Sequence, residues 1–253
     1  LPQNVSNLIS QNAYVFVLAT GMLLCILTGG NIDLSVGSVV CFAGAVGATL
    51  MESKGMNPWA ASIMMLLIGL LIGAWQAFWI AYVHVPFITT LSGMLVFRGL
   101  SNVVLNGLTV SLTNAGFVKV FGGGAECYIP DFLGGNGFNI TCMLVGVIAC
   151  VIYVLVQIKN RMNRAKKGYE MEALSAMVIR TVIICAVILV FMFRLAQYKG
   201  IPTALVWVAL VVLIYGYITS KTTTGRYFYA VGGNEKATKL SGINTSKVYF
   251  IAY

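Results

Sequence analysis

Apolar runs of membrane-crossing length limit what this chain can fold into. They lie at about 12–28, 33–51, 58–82, 87–106, 140–158, 180–196 and 201–219, divided by polar or glycine-rich breaks, and another begins near Val248. A helix needs roughly 17–25 mostly apolar residues to cross the hydrocarbon of a bilayer. Charged residues make up only 9% of the chain, against roughly 25% in a soluble domain. The pattern predicts an all-α integral membrane protein. Its architecture is a polytopic transmembrane helix bundle of about seven full spans plus the start of an eighth, with residues 1–253 as one membrane domain.

The net charge of +9 could suit nucleic acid, but the cations are not spread over a face. Lys159, Arg161, Arg164, Lys166, Lys167 and Arg180 crowd the polar stretch 159–179 and its edge, while Lys221, Arg226, Lys236, Lys239 and Lys247 occupy 220–247. Such clusters mark cytoplasmic loops. Both stretches are therefore predicted cytoplasmic, and no nucleic-acid partner is expected. Alternation then places residue 1, the 52–57 turn, the 107–139 loop and the 197–200 turn outside, where Lys54, Lys119 and Lys199 are the basic residues. One alternative stays open: if 12–51 were a single crossing with a broken middle, the N-terminus would lie inside. In the extracytoplasmic 107–139 loop, Gly122-Gly123-Gly124 and Gly134-Gly135-Asn136-Gly137 supply turns.

The break Thr28-Gly29-Gly30-Asn31-Ile32-Asp33-Leu34-Ser35-Val36-Gly37-Ser38 holds a carboxylate against apolar sequence. Such a group is costly in hydrocarbon. Asp33 is placed to cap a helix starting at Leu34 by accepting from the N–H of Ser35 or Val36. It could equally sit on an unwound segment lining a cavity, where irregular backbone is tolerated and transporters build substrate sites. Gly37, Cys41, Gly44 and Ala48 recur at helical spacing, and Gly69 and Gly73 form a GxxxG pair. Both patterns predict close helix packing.

The 87–106 run is the most polar. Thr90, Phe97, Arg98 and Ser101 share one arc at about 100° per residue. Arg98 is too deep to snorkel easily, so it should face protein or water, with Asp33 a possible ion-pair partner. Together with Asn31, Asp33 and Ser35, these residues make the candidate substrate pathway. Phe97 beside hydroxyl and amide groups would suit a sugar, although an aromatic there also serves simple packing. His84 in Val83-His84-Val85-Pro86 reads as a turn residue. Catalytic triads, paired carboxylates, metal-ligand spacing and phosphate loops are all missing from the sequence. No cofactor is expected on this chain, and any ATP would be hydrolysed elsewhere. Five of the six cysteines lie in apolar runs as small hydrophobes, and Cys127 lies in a polar loop.

In 220–247, Asn234 can cap a short helix over 235–240 that Gly242 ends. Glu235 and Lys239 suit its two dipole ends, and Leu240 with Ile243 would give it an apolar patch. It is either a plain connector or a knob that docks a cytosolic subunit.

These two segments carry a resemblance. Gly30 through Ser38 resembles the G-G-I-D-L-S-V-G-S signature of ABC permeases for ribose, xylose, galactose and multiple monosaccharides. Gly225-Arg226, Tyr229, then Gly232-Gly233-Asn234-Glu235, Lys239 and Leu240-Ser241-Gly242-Ile243 are similar to that family's cytoplasmic coupling segment. Asn31 stands where a glycine is usual, and Gly242 lies seven residues after Glu235, unlike the E-A-A-x-x-x-G loop of other importers. The elements at 140–179 look like the xylose and multiple-sugar branch. The resemblance implies a longer protein, with a first span and C-terminal spans beyond this sequence. It further implies a bacterial inner-membrane importer. Its partners would be cytosolic ATPase subunits that bind ATP and Mg, an extracytoplasmic sugar-binding protein, a second permease copy and membrane lipid. A branched-chain amino-acid permease and an ion-coupled secondary transporter are the rival readings.

Overall fold

The computed structural model describes residues 2–121, 127–135, 137–169 and 173–253. Gly122-Gly123-Gly124 and Asn136 lie outside the described residues. The helices are α1 (Pro2–Gly29), α2 (Val36–Glu52), α3 (Pro58–Phe78), α4 (Pro86–Leu105), α5 (Ala115–Phe121), α6 (Ile140–Lys166), α7 (Leu174–Ala196), α8 (Thr203–Lys221), α9 (Thr223–Gly233), α10 (Glu235–Leu240) and α11 (Thr245–Ala252). A π-helical turn, Trp79–Val83, extends α3. Among the described residues there is no strand, only an isolated bridge between Tyr128 and Pro202.

Among the described residues, six helices are long and apolar enough to cross a membrane: α1, α3 with its π turn, α4, α6, α7 and α8. The run expected as a full span at 33–51 is instead the 17-residue α2. Several helices outrun their apolar cores. Lys, Arg, Met and Ala are good helix formers, and they carry α6 through Lys166 until Gly168 turns the chain at φ +69°. Much of the expected basic loop at 159–179 is therefore helical, since α7 already begins at Leu174. Likewise α1 starts at Pro2 rather than near residue 12, α5 interrupts the 107–139 loop, and three helices occupy most of 220–247.

The chain packs as two compact units, residues 1–12 with 119–206 and residues 13–118 with 207–253. In the first, Cys142, Leu195, Ala196 and Ile201 form a buried cluster. Asn139 caps α6 by accepting from Cys142 N–H at 2.8 Å, and its own N–H donates to the Ala196 carbonyl. Asp131 ties the preceding turn. It accepts from the Thr141 hydroxyl at 2.7 Å and from the N–H groups of Gly135, Leu133 and Ile140. These bonds hold its carboxyl well below the usual carboxylate range.

In the second unit α2 lies antiparallel to α3 and parallel to α4. Gly47 abuts Met65, Phe42 meets Phe97 with ring centroids 5.7 Å apart, and the Cys41 thiol lies 3.6 Å from the Ser101 hydroxyl. At the far end of α2, Glu52 accepts from Thr113 N–H at 2.7 Å and from its hydroxyl, which lowers the Glu52 pKa. Three of the four glycines expected to pack helices, Gly37, Gly44 and Gly69, meet no neighbour within this chain. Because α2 turns Ala43, Ala45 and Gly47 inward, nothing lies within 4 Å of a Cβ built on Gly37 or Gly44, or on Gly69 of α3. Gly73 has the Tyr253 carbonyl at 3.5 Å. Close approach falls on Gly47 and Gly93 instead.

Candidate functional site

The site grows from the end of α1. Gly30 N–H closes the helix on the Ile26 carbonyl at 2.9 Å, and Gly30 itself takes φ +68°, a left-handed angle that glycine adopts without strain. The chain then folds back, bringing Asp33 N–H to 3.3 Å from the Met22 sulfur. Asp33 is only 9% exposed and its Oδ1 accepts from Ser35 N–H at 2.8 Å. The expected bond forms, but α2 begins at Val36, so Asp33 closes the turn ahead of the helix rather than capping at Leu34.

A polar chain runs inward from this turn. Ser35 Oγ lies 2.7 Å from Asp33 Oδ1 and 2.8 Å from the side-chain oxygen of Gln76 on α3. One hydroxyl hydrogen serves one acceptor at a time, and the carboxylate is the stronger. Turning the Gln76 amide over would let its N–H donate to Ser35 while Ser35 donates to Asp33. In either orientation one amide group is left over. Gln76 Nε2 is buried without a hydrogen-bond partner, facing Gly93, where a Cβ would collide with it. An unsatisfied buried polar group costs about 1–3 kcal/mol.

The remaining pathway candidates separate. Thr90 and Ser101 are buried, and their hydroxyls bond back to the carbonyls of Pro86 and Arg98 on their own helix. Phe97 packs on Phe42. Arg98 sits at about 80° from Thr90 around the helix, is exposed, and makes no ion pair with Asp33 among the described residues. The arc is thus split between an inward face and an outward cation. Asn31 stays at the break, half-buried, and shares a small cavity with Gly30, Ile32, Leu34, Pro86 and Phe87. His84 takes φ 61° and turns the chain into α4, as its sequence position predicts.

The 220–247 segment folds against the end of α1. Thr222 caps α9 by accepting from Gly225 N–H at 3.1 Å, and a Cβ on Gly225 would strike the carbonyls of Ile218 and Thr219. Phe228 and Val231 bury one face of α9 with Leu24, Ala81, Val248, Tyr249 and Ala252, leaving Arg226 and Tyr229 exposed. Gly232 rests on the Leu27 carbonyl with no room for a Cβ, whereas Gly233 faces open space. Asn234 caps α10 through Ala237 N–H at 2.9 Å, and Gly242 ends it at φ +83°. Ser241 donates to the Ala237 carbonyl, and Lys239 is exposed near the C-terminal end of α10. The expected apolar patch is divided. Leu240 is 90% exposed, while Ile243 turns inward against the buried cluster.

Tyr249 joins these parts. Its hydroxyl donates to Glu235 Oε2 at 3.1 Å and lies 2.8 Å from where a Cβ on Gly29 would stand. Sequence reasoning missed Tyr249 and Gln76. A lone amide in the 58–82 run was the available signal for Gln76, while a tyrosine at the edge of an apolar run gave none.

A family model described as "Branched-chain amino acid transport system / permease component" matches residues 4–253. The xylose transport system permease protein of Escherichia coli strain K12 is 37% identical over 246 residues, covering 97% of this chain and 59% of that protein. Its Haemophilus influenzae counterpart is 34% identical over 252 residues, covering 99% and 64%. The ribose import permease protein of Escherichia coli strain K12 is 30% identical over 251 residues, covering 99% and 56%. The chain thus spans about three-fifths of the length of these curated relatives. No solved structure gives a significant match. The match over residues 4–253 shows that the chain belongs to this transport-system permease-component family.

Proposed function

We propose that this chain forms the translocation path of an ATP-binding-cassette importer for a monosaccharide, of pentose type, in a bacterial inner membrane. ATP and Mg would bind a separate cytosolic ATPase pair. An extracytoplasmic binding protein would deliver the sugar, and a second permease copy would complete the pore. Both basic stretches, 159–179 and 220–247, would face the cytoplasm. The observation that carries the reading is the seating of α9 on the end of α1 at Leu27 and of Tyr249 on Gly29, with α10 tied to Tyr249 through Glu235. Motion imposed on α10 would reach Leu27 through a Gly232 contact that leaves no slack, and Gly29 through the Glu235–Tyr249 bond. The break would then shift the Asp33, Ser35 and Gln76 chain, whose leftover amide group offers a hydrogen bond to a sugar hydroxyl.

The family description favours branched-chain amino acids as a second reading. A zwitterion needs two opposite charges at its site, and Asp33 is the one charged group in the polar chain described here. The sugar names of the relatives favour the first reading.

The test is uptake of radiolabelled D-xylose, and of L-leucine for comparison, by proteoliposomes holding the permease with its ATPase and binding protein. Sugar uptake that stops with a non-hydrolysable ATP analogue is expected. Leucine uptake, or sugar uptake driven by a proton gradient without ATP, would contradict the proposal. In the same assay Asp33→Asn should insert normally, since an amide oxygen can still accept from Ser35 N–H, yet lose uptake by about tenfold, as for a charge-assisted bond weakened by about 1.4 kcal/mol. Unchanged uptake would reduce Asp33 to a turn residue.

A further inference from the structure

Among the described residues, two buried side-chain atoms have no hydrogen-bond partner: Gln76 Nε2 and the Tyr253 hydroxyl oxygen. Native structures hold few such groups, because each has given up its bond to water without replacing it. Tyr253 follows α11, where its N–H donates to the Tyr249 carbonyl at 3.2 Å and its side chain packs on the buried cluster around Phe228 and Val248. Its own carbonyl stands 3.5 Å from where a Cβ on Gly73 of α3 would be. Gly73 and Gln76, three residues apart, share one face of that helix. One residue earlier, the Ala252 carbonyl accepts from the Cys25 thiol of α1 at 3.6 Å. Tyr253 is thus held between α1 and α3. Its hydroxyl approaches the Asn31 side chain without closing a hydrogen bond of ordinary geometry, and it lies within reach of the Asp33 charge. Asp33 is joined to Gln76 through Ser35. The carboxylate therefore shares its surroundings with an unsatisfied amide and an unsatisfied phenol.

We propose that Tyr253 is a further sugar-contacting residue of the path, its hydroxyl and the Gln76 amide meeting hydroxyl groups of the substrate as it passes Asp33. This rests on the transport reading above. A monosaccharide carries several hydroxyls, each able to donate and to accept. Asp33 only accepts, whereas a phenol does both and an amide has one group of each kind, so a polyhydroxylated ligand satisfies all three. An apolar ligand would satisfy none. Groups that break the rules of a well-satisfied core are expected where a protein acts rather than where it folds. A bound water could meet the same atoms, but the hydroxyl would then serve the fold, and the two cases differ in a measurable way.

Tyr253→Phe, which removes the hydroxyl and keeps the ring, tests this. In proteoliposomes holding the permease with its ATPase and binding protein, the initial rate of ATP-driven D-xylose uptake should fall about five- to tenfold, as for one hydrogen bond lost to the moving sugar. The melting temperature of the detergent-purified permease should stay the same or rise, because the fold loses no bond. Tyr249→Phe breaks the bond to Glu235 and should lower that temperature, which shows that the measurement registers a single lost hydroxyl. Uptake by Tyr253→Phe equal to that of the unmodified complex would overturn the inference and leave the transport reading standing. A melting temperature lowered as far as in Tyr249→Phe would overturn it as well, by making the hydroxyl part of the fold. Absence of uptake by the unmodified complex would remove the transport reading and this inference together.

Discussion

Gly232→Ala is expected to abolish sugar uptake while leaving the permease in the membrane at its normal level. A methyl group at this position would run into the Leu27 carbonyl. That is backbone against backbone, so no side-chain rotation can relieve it. Either α9 lifts away from α1 or the end of α1 moves, at about 1–3 kcal/mol for such overpacking. A bundle of membrane helices survives that. A mechanical joint does not, because the same displacement separates α10 from the break it is proposed to move. Gly233→Ala is the matched control, since nothing lies within 4 Å of a Cβ there. Initial uptake rates, normalised to permease in the membrane fraction, should fall more than about tenfold for Gly232→Ala and change less than about twofold for Gly233→Ala. Equal rates for the two variants would remove the joint from the mechanism.

Hydropathy made the spans legible, because every crossing helix satisfies its backbone internally and needs little from its neighbours. The short helix α10 was legible as well, since Asn234 and Gly242 set its ends by local chemistry alone. Extents were harder to read. The Lys- and Arg-rich turns of α6 continue the helix on propensity where hydropathy has already stopped. The face of α2 was misleading for a related reason: a seam of small residues shows that helices could approach, and the inward turn of Gly47 decides where one does. The site divides the same way. The turn at Gly30 and Asp33 could be read from residue types close in sequence. Gln76 reaches Ser35 across 41 positions and Tyr249 reaches Glu235 across 14, through packing that no local pattern announces. Arg98 failed to join the pathway arc because it stands about 80° from Thr90 and about 60° from Ser101, off their buried line.

Leu240→Asp should separate the permease from its ATPase without disturbing the fold. The Leu240 side chain is 90% exposed, so it contributes almost nothing to the packing of this chain. The helix that carries it is held by the Asn234 cap and the left-handed Gly242, neither of which the substitution touches. A large apolar side chain held out on a capped helix is suited to a groove on a partner, where burying it is worth about 1.5–3 kcal/mol. A carboxylate in that groove would lose this gain and add the cost of an unpaired buried charge. The ATPase retained by affinity-tagged permease should therefore fall by more than about tenfold. Uptake should fall to background with it, while the membrane content of the permease stays unchanged. An ion-coupled transporter would be indifferent to the change, because its cytoplasmic loop has nothing to dock.

The most direct measurement is ATPase pull-down together with sugar uptake for Leu240→Asp against the unmodified permease. Loss of both from a fully inserted protein is the predicted result. Retention of both would contradict the assignment of this chain as the ATPase-driven path of a sugar importer.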